Sequence, residues 1–217
     1  MVLQVSTLVR NAMLDVIEAV GSGLTVTSTA MTGTPAAPTL LIFSGTKPAA
    51  TTDADANASP LAILSSLTSN FMGDAASGSK PLAGTWQETN ADNTGTASHF
   101  RMKTSGGTVF LQGTCGPSVS LTTNGTTAIG SNTLNFAATV PATIVAGMNI
   151  TGTNVPPATT VISTTSVTVV MSNAVVGTAV ATSTPCLFAY DLTIDSATIT
   201  AGQQVTVTAF TLAAQNG

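Results

Sequence analysis

The sequence predicts an all-β protein with one N-terminal helix, in which a jelly-roll-like β-sandwich core carries a small inserted β domain. Three observations predict this class. The 217 residues include only five basic and nine acidic side chains, the mean hydropathy is +0.42, and short apolar runs alternate with turn residues. Low charge with positive hydropathy indicates a folded chain. Thr and Val, both abundant here, fit the pleated surface of a sheet.

The N-terminal segment gives the one strong helix prediction, at residues 5–20. Ser6 or Thr7 can cap its start, and Gly21 can end it in a left-handed turn. The stripe predicts a face buried in the core, with docking on a partner as the alternative. Apolar residues recur at helical spacing, namely Val5, Leu8, Val9, Ala12, Met13, Val16, Ile17 and Val20.

From Leu24 onward the sequence predicts short strands separated by Gly, Pro, Asn and Asp clusters. Runs such as "APTLLIF", "PLAILSSL", "TASHFRMK" and "TVFLQG" have the length and composition of strands. Near the C-terminus, Val205, Val207 and Ala209 alternate with Thr and Phe, which predicts a strand with two different faces. Many short strands with frequent turns favour a sandwich or jelly roll.

A change of amino-acid composition divides the chain into two predicted domains. No charged residue occurs between Lys103 and Asp191, and the interior of this interval is rich in Thr, Val, Asn and Gly. We therefore expect a β-sandwich core formed by residues 1–116 and 187–217. Residues 117–186 are expected to form an inserted β module whose ends return to neighbouring strands.

The two cysteines, Cys115 and Cys186, flank this module. We expect them to be neighbours in space, either as two buried thiols or as a disulfide that closes the base of the insertion. A bridge requires Cα atoms within about 4.4–6.8 Å. Assembly in a reducing cytoplasm favours thiols at the start, and oxidation after release would follow later.

His99 is the only histidine, and it lies on the predicted strand "TASHFRMK". Alternation along a strand puts Phe100 and Met102 on one face and His99, Arg101 and Lys103 on the other. The second face is interpreted as a solvated outer face. The alternatives are a basic strip that docks on an acidic partner surface, and a catalytic base.

Motifs for catalysis and cofactor binding are weak. One histidine without a nucleophile elbow gives no triad signal, and two cysteines with one distant histidine do not form a zinc site. The segment "DADAN" at 53–57 begins like a calcium loop, but Ala58 and Leu64 stand where that loop needs Gly and Glu. It therefore predicts an acidic turn. We expect neither an enzyme nor a cofactor.

Charge and hydropathy limit the classes of partner. A net charge of −4 and a pI near 4.5 argue against nucleic-acid binding. No apolar run is long enough to cross a membrane, and the N-terminus does not match a signal peptide, so synthesis in a cytoplasm is expected. Solubility normally depends on interspersed surface charges. A surface this poor in charge is therefore expected to be covered by partners.

Four stretches carry a resemblance: "STLVRNAMLDVIEAV", "TLLIFSGTKPA", "GTWQETNADNTGTASHFRMKTSGGTVFLQGT" and "LTIDSATITAGQQVTVTAFTLAAQNG". In their order and spacing, residues 1–116 and 187–217 resemble a family of small virion proteins of tailed bacteriophages. The resemblance implies a capsid cement (decoration) protein on the outer capsid surface, made in the host cytoplasm. It would bridge and stabilise major capsid subunits and associate with copies of itself. The shared motifs are structural, so no catalytic residue is transferred.

The stretch "GMNITGTNVPPATTV", from Gly147 to Val161, resembles β units found within phage surface and fibre proteins. This second resemblance implies the alternative function, a tail or neck fibre component that binds a host surface glycan or receptor through the inserted module. We expect Val and Ile to pack on one face of the module and Thr to face water on the other.

Overall fold

The computed structural model describes residues 6–26, 31–32, 35–57, 59–65 and 67–213. Within these residues the fold is all-β with one N-terminal helix, α1 (Thr7–Gly21), as predicted. In chain order the strands are β1 (Thr25–Val26), β2 (Met31–Thr32), β3 (Thr39–Phe43), β4 (Ala62–Leu64), β5 (Ser79–Pro81), β6 (Gln87–Glu88), β7 (Gly95–Thr96), β8 (His99–Lys103), β9 (Val109–Gly116), β10 (Val119–Thr122), β11 (Thr133–Asn135), β12 (Asn149–Gly152), β13 (Thr159–Thr164), β14 (Thr168–Met171), β15 (Pro185–Ala189), β16 (Leu192–Ile194), β17 (Thr198–Ile199) and β18 (Val205–Ala213).

The chain divides into two compact units. Unit 1 consists of Met1–Gly116 and Leu192–Gly217, and unit 2 is Pro117–Asp191. The second boundary lies at Asp191 rather than at the expected residue 186. The reason is that β15 pairs with β10 and β12, which are both strands of unit 2. The segment read as one strand, "CLFAYDLTI", is therefore two: β15 in unit 2 and β16 in unit 1.

Unit 1 is built on a curled eight-stranded sheet with a sandwich-like core. Its strand order is β4-β3-β8-β9-β16-β18-β5, and β6 also pairs with β18. The strands β9 and β16 run parallel, with Cys115 opposite Leu192 and Gly116 opposite Thr193. The residues that flank unit 2 in the chain therefore lie on neighbouring strands of unit 1.

Aromatic side chains fill the core of unit 1. Trp86 is 1 % exposed, and its ring lies 6.0 Å from that of Phe71 and 5.5 Å from that of Phe210. Phe100 meets Phe210 edge-on at 5.7 Å. The indole N–H donates to the carbonyl of Ala83 at 3.0 Å, which satisfies the one polar group that this ring buries.

Local sequence explains where α1 begins and ends. Ser6 caps the start, since its hydroxyl accepts from the backbone N–H of Val9. At the other end, Gly23 adopts the left-handed conformation with φ of +74°, two residues later than predicted. The N–H groups of Gly23 and Leu24 donate to the carbonyls of Val20 and Ala19, which is a Schellman cap. Val5, the predicted first residue, lies outside the described residues.

The alternation along β18 changes phase at a bulge. Val205 and Val207 are buried, but Phe210 rather than Ala209 is the next buried residue. The pairing with β16 explains this, because the register shifts between Thr193 and Ile194. One extra residue in a bulged strand sends the following side chains to the opposite face.

Unit 2 has its own antiparallel sheet and its own core. The strand order is β10-β15-β12-β13-β14-β11. The buried residues include Ile150, Val161 and Val169, and Thr151 is exposed, as expected. Thr159 departs from the expectation, since it is 1 % exposed and its hydroxyl donates to the carbonyl of Pro156 at 2.6 Å. Ile162 is a second exception at 55 % exposed, because it follows the buried Val161 and therefore lies on the opposite face of β13.

Candidate functional site

The outer face of β8 is covered by the loop that follows β3. His99 is 0 % exposed, Arg101 is 4 % exposed and Lys103 is half-buried. The loop is bound directly, since Nη2 of Arg101 donates to the carbonyls of Thr51 and Asp53 at 2.7 and 2.8 Å. His99 and Arg101 are therefore not available as the solvated strip that the sequence predicts. Lys103 alone of the three reaches the surface.

Asp55 is the residue of this loop that joins it to the buried side chains of β8. Its Oδ2 lies 2.9 Å from Nε2 of His99 and 3.9 Å from Nη1 of Arg101, and its side chain is 8 % exposed. The His99 ring stacks on Phe43 with centroids 5.3 Å apart. Removing one partner from a buried charged cluster leaves the others uncompensated. The cluster of Asp55, His99 and Arg101 therefore holds the loop against the sheet.

Ser98 extends this cluster into a chain of three polar side chains. Its Oγ lies 3.0 Å from Nδ1 of His99, whose Nε2 faces Asp55. In serine proteases the order is reversed, with Nε2 facing the serine and Nδ1 the aspartate. The Ser98 hydroxyl also donates to the carbonyl of Gly45 at 2.6 Å. With the hydroxyl engaged as a donor and the imidazole closed to solvent, the arrangement suits a structural role rather than attack on a substrate.

Sequence reasoning missed Asp55 and Ser98 as partners of His99. It interpreted Asp53 and Asp55 as a plain acidic turn. The turn exists, since Oδ1 of Asp55 accepts from the N–H of Asn57 and Oδ2 of Asp53 from that of Ala50. The signal that could have revealed these partners is the scarcity of charge. In a chain with so few ionisable side chains, a single histidine is a candidate to pair with an aspartate and an arginine.

An open depression of about 500 Å³ adjoins the cluster. Its lining includes Lys103 and Asp53 together with apolar side chains such as Leu41 and Val109. Because an ammonium and a carboxylate share this lining, their charges offset each other, and the depression carries no strong preference for an anion.

The two cysteines lie in the cores of different units. Cys115 is 1 % exposed in unit 1 and Cys186 is 0 % exposed in unit 2, and the two form no disulfide. Burial raises the pKa of the Cys186 thiol to about 11. That thiol is therefore protonated and unreactive at neutral pH. The expected proximity of the two residues stays a prediction.

Helix α1 is attached to unit 1 through its polar face. Lys80 of β5 is 3 % exposed, and its Nζ lies 2.7 Å from Oδ1 of Asp15 and 2.9 Å from Oε2 of Glu18. Burial lowers the pKa of Lys80, but the hydrogen bonds and charges of the two carboxylates outweigh it, and the net shift is upward. Glu18 also accepts from the N–H of Met72, and Asn11 bonds to two backbone groups before β5.

The apolar face of α1 is consequently uncovered in the single chain. The sequence predicts that face to be buried, yet Leu8 is 79 % exposed, Val9 47 %, Met13 55 %, Val16 38 % and Val20 37 %. The reason is the way in which the helix is attached. Asn11, Asp15 and Glu18, like the apolar residues, are spaced by about one helical turn, and the side of the helix that carries them faces unit 1. The arrangement leaves a row of apolar side chains free to contact a partner.

Among the described residues, no group of three His, Cys, Asp or Glu side chains is placed to hold a metal ion. No helix among them has the length and apolar content that a membrane span requires.

Comparison of the chain with known protein families, with curated proteins and with solved structures gives no match.

Proposed function

We propose that the chain is a structural virion protein, a capsid cement protein on the outer capsid surface that bridges and stabilises major capsid subunits. The observation that carries the proposal is a surface poor in charge. Of the five basic side chains, Lys80 and Arg101 are buried in ion pairs. Their partners Glu18 and Asp55 are thereby also engaged inside unit 1.

The burial of these charged side chains favours a protein that works within an assembly over one that diffuses freely. Interspersed surface charges normally keep a free protein soluble, and this chain keeps part of its small supply inside the fold. A protein whose surface is covered by neighbours does not need them. Specific interfaces bury about 1,200–2,000 Å², and repetition over a shell multiplies modest contacts. The motif resemblance to small phage virion proteins points to the same kind of particle.

The second candidate is a tail or neck fibre component that binds a host glycan or receptor through unit 2. It is favoured by the apolar side chains that unit 2 exposes, since Ile129 is 60 %, Ile162 55 % and Val176 67 % exposed. These side chains offer apolar surface that a partner could cover.

Copy number distinguishes the two candidates. Purified particles of the phage or prophage that encodes the chain would be dissolved, and the chain quantified against the major capsid protein. Hundreds of copies per particle support cement, whereas a handful supports a fibre or neck component. Particles assembled without the chain would then be heated or osmotically shocked with and without added protein. Unchanged DNA release after saturating addition would contradict the cement function.

A further inference from the structure

We propose that Asn124 is a site of spontaneous deamidation, and that the hydroxyl of Thr182 sets the rate of this reaction in the folded chain. Unit 2 contains the pair Asn124-Gly125, and the second Asn-Gly pair of the chain, Asn216-Gly217, lies outside the described residues. The proposal concerns a covalent change within unit 2 and does not depend on what the chain binds.

The reaction begins when the backbone nitrogen of Gly125 attacks the side-chain carbonyl carbon of Asn124. The nitrogen loses its proton, the C–N bond of the side-chain amide breaks and ammonia leaves, which gives a cyclic succinimide. Water then opens the ring at one of its two carbonyl groups, so the product is aspartate or isoaspartate. A glycine after the asparagine favours the attack, because it has no Cβ to obstruct the approach.

The turn at this position exposes the pair and requires its glycine. Asn124 and Gly125 are both exposed to solvent, so water can reach the succinimide. Gly125 has a φ of +92°, in the left-handed region that other residues rarely adopt. The fold therefore depends on the same glycine that makes Asn124 reactive.

The folded chain restrains the attacking nitrogen. The N–H of Gly125 donates to Oγ1 of Thr182 at 3.0 Å. Attack requires this nitrogen to give up its proton and to turn towards the side chain of Asn124, so the hydrogen bond must break first. On the other side of Asn124, the N–H of Thr123 donates to the carbonyl of Thr184 at 3.0 Å. Asn124 is thus held between two residues that are attached to the same segment of the chain.

Deamidation at this position would change both the sheet of unit 2 and its charge. The strands at the two ends of the sheet order, β10 and β11, meet here, since Thr123 forms a β-bridge with Phe136. The N–H of Asn124 donates to the carbonyl of Asn135 at 2.7 Å. Isoaspartate adds a methylene group to the main chain beside this hydrogen bond. Either product also adds a carboxylate to a unit whose sequence contains one charged residue, Asp191 at its boundary.

The test is incubation of the full chain at mildly alkaline pH, followed by mass spectrometry of its peptides. The peptide that contains Asn124 should gain the mass of an NH₂-to-OH exchange, more slowly in native buffer than in urea. The peptide that contains Asn216 is read separately. Thr182→Val replaces the accepting hydroxyl with a methyl group. It should speed the native reaction at Asn124 roughly fivefold, the factor that corresponds to a hydrogen bond of about 1 kcal/mol.

Two further variants separate the hydrogen bond from other effects of substitution. Thr182→Ser keeps an accepting hydroxyl and should keep the slow native rate. Thr151→Val makes the same exchange at an exposed threonine of β12 and should also leave the rate unchanged. In urea all of these chains should react equally fast, because the sequence alone then sets the rate. A cooperative thermal transition confirms that each variant is folded.

Three results would overturn the proposal. The first is an Asn124 peptide that stays unmodified both in the native wild-type chain and in Thr182→Val. The second is a wild-type chain that deamidates at Asn124 as fast in native buffer as in urea, a comparison that needs no variant. The third is a folded Thr182→Val chain that reacts no faster than Thr151→Val.

Discussion

Replacing Asp55 with Ala should destabilise unit 1 strongly. The substitution leaves His99 and Arg101 buried without the carboxylate that lies 2.9 and 3.9 Å from them. Removing one partner from a buried group of charges lowers the free energy of unfolding by about 3–5 kcal/mol. At a slope of about 2 kcal/mol per molar urea, the midpoint of unfolding should fall by roughly 1.5–2.5 M. Trp86 reports the transition, because the only tryptophan of the chain is 1 % exposed in the core of unit 1.

Asp53→Ala is the matched control, since it removes the same charge from the same loop two residues away. Asp53 is exposed, and its carboxylate accepts one hydrogen bond, from the N–H of Ala50. Its replacement should change the free energy of unfolding by no more than about 1 kcal/mol. Equal shifts of the urea midpoint for the two variants would refute the reasoning, because the burial of Asp55 would then have no energetic consequence.

Three further predictions follow from the same structure. Leu14→Ala should cost about 2–5 kcal/mol in urea unfolding, because Leu14 is the 2 % exposed residue of α1; a cost below 1 kcal/mol would show that α1 is not packed as described. Replacing 117–191 with a short Gly/Ser linker should leave a cooperative Trp86 transition, because the flanking strands pair directly; a broad, non-cooperative melt would contradict the two-unit division. At pH 8 in native buffer, Cys186 should react with iodoacetamide far more slowly than in urea, since burial raises its pKa to about 11. Its folded pKa lies above the unfolded value of about 8.5, so its contribution to stability is complete below pH 8.5 and lost as pH rises through 11. Fast native labelling, identified by mass spectrometry of the labelled peptide, would contradict its burial.

The sequence was sufficient to predict those elements whose structure depends on interactions between residues close together in the chain. The helix was predicted at 5–20 and lies at Thr7–Gly21, because capping and periodicity act within a few residues. Alternation placed Phe100 and Met102 correctly on the core side of β8.

The same reasoning was wrong where the structure depends on interactions between residues that are far apart in the sequence. Whether the other face of β8 meets water depends on a loop more than 40 residues earlier, whose Asp55 covers His99. The apolar stripe of α1 was expected to be buried, but a stripe does not reveal what covers it, and Lys80 selects the opposite face. The strand β15 was assigned to the wrong unit because only its pairing with β10 and β12 shows where it belongs.

The parallel pairing of β9 with β16 has a consequence for the order in which the chain folds. During synthesis, domains generally fold from the N-terminus onward. Here β9, β5 and β6 of unit 1 must wait for partners in β16 and β18, which emerge after all of unit 2. The inserted unit can therefore complete its own sheet before its host does. Closing unit 1 across that long sequence separation is expected to be the slow step of folding.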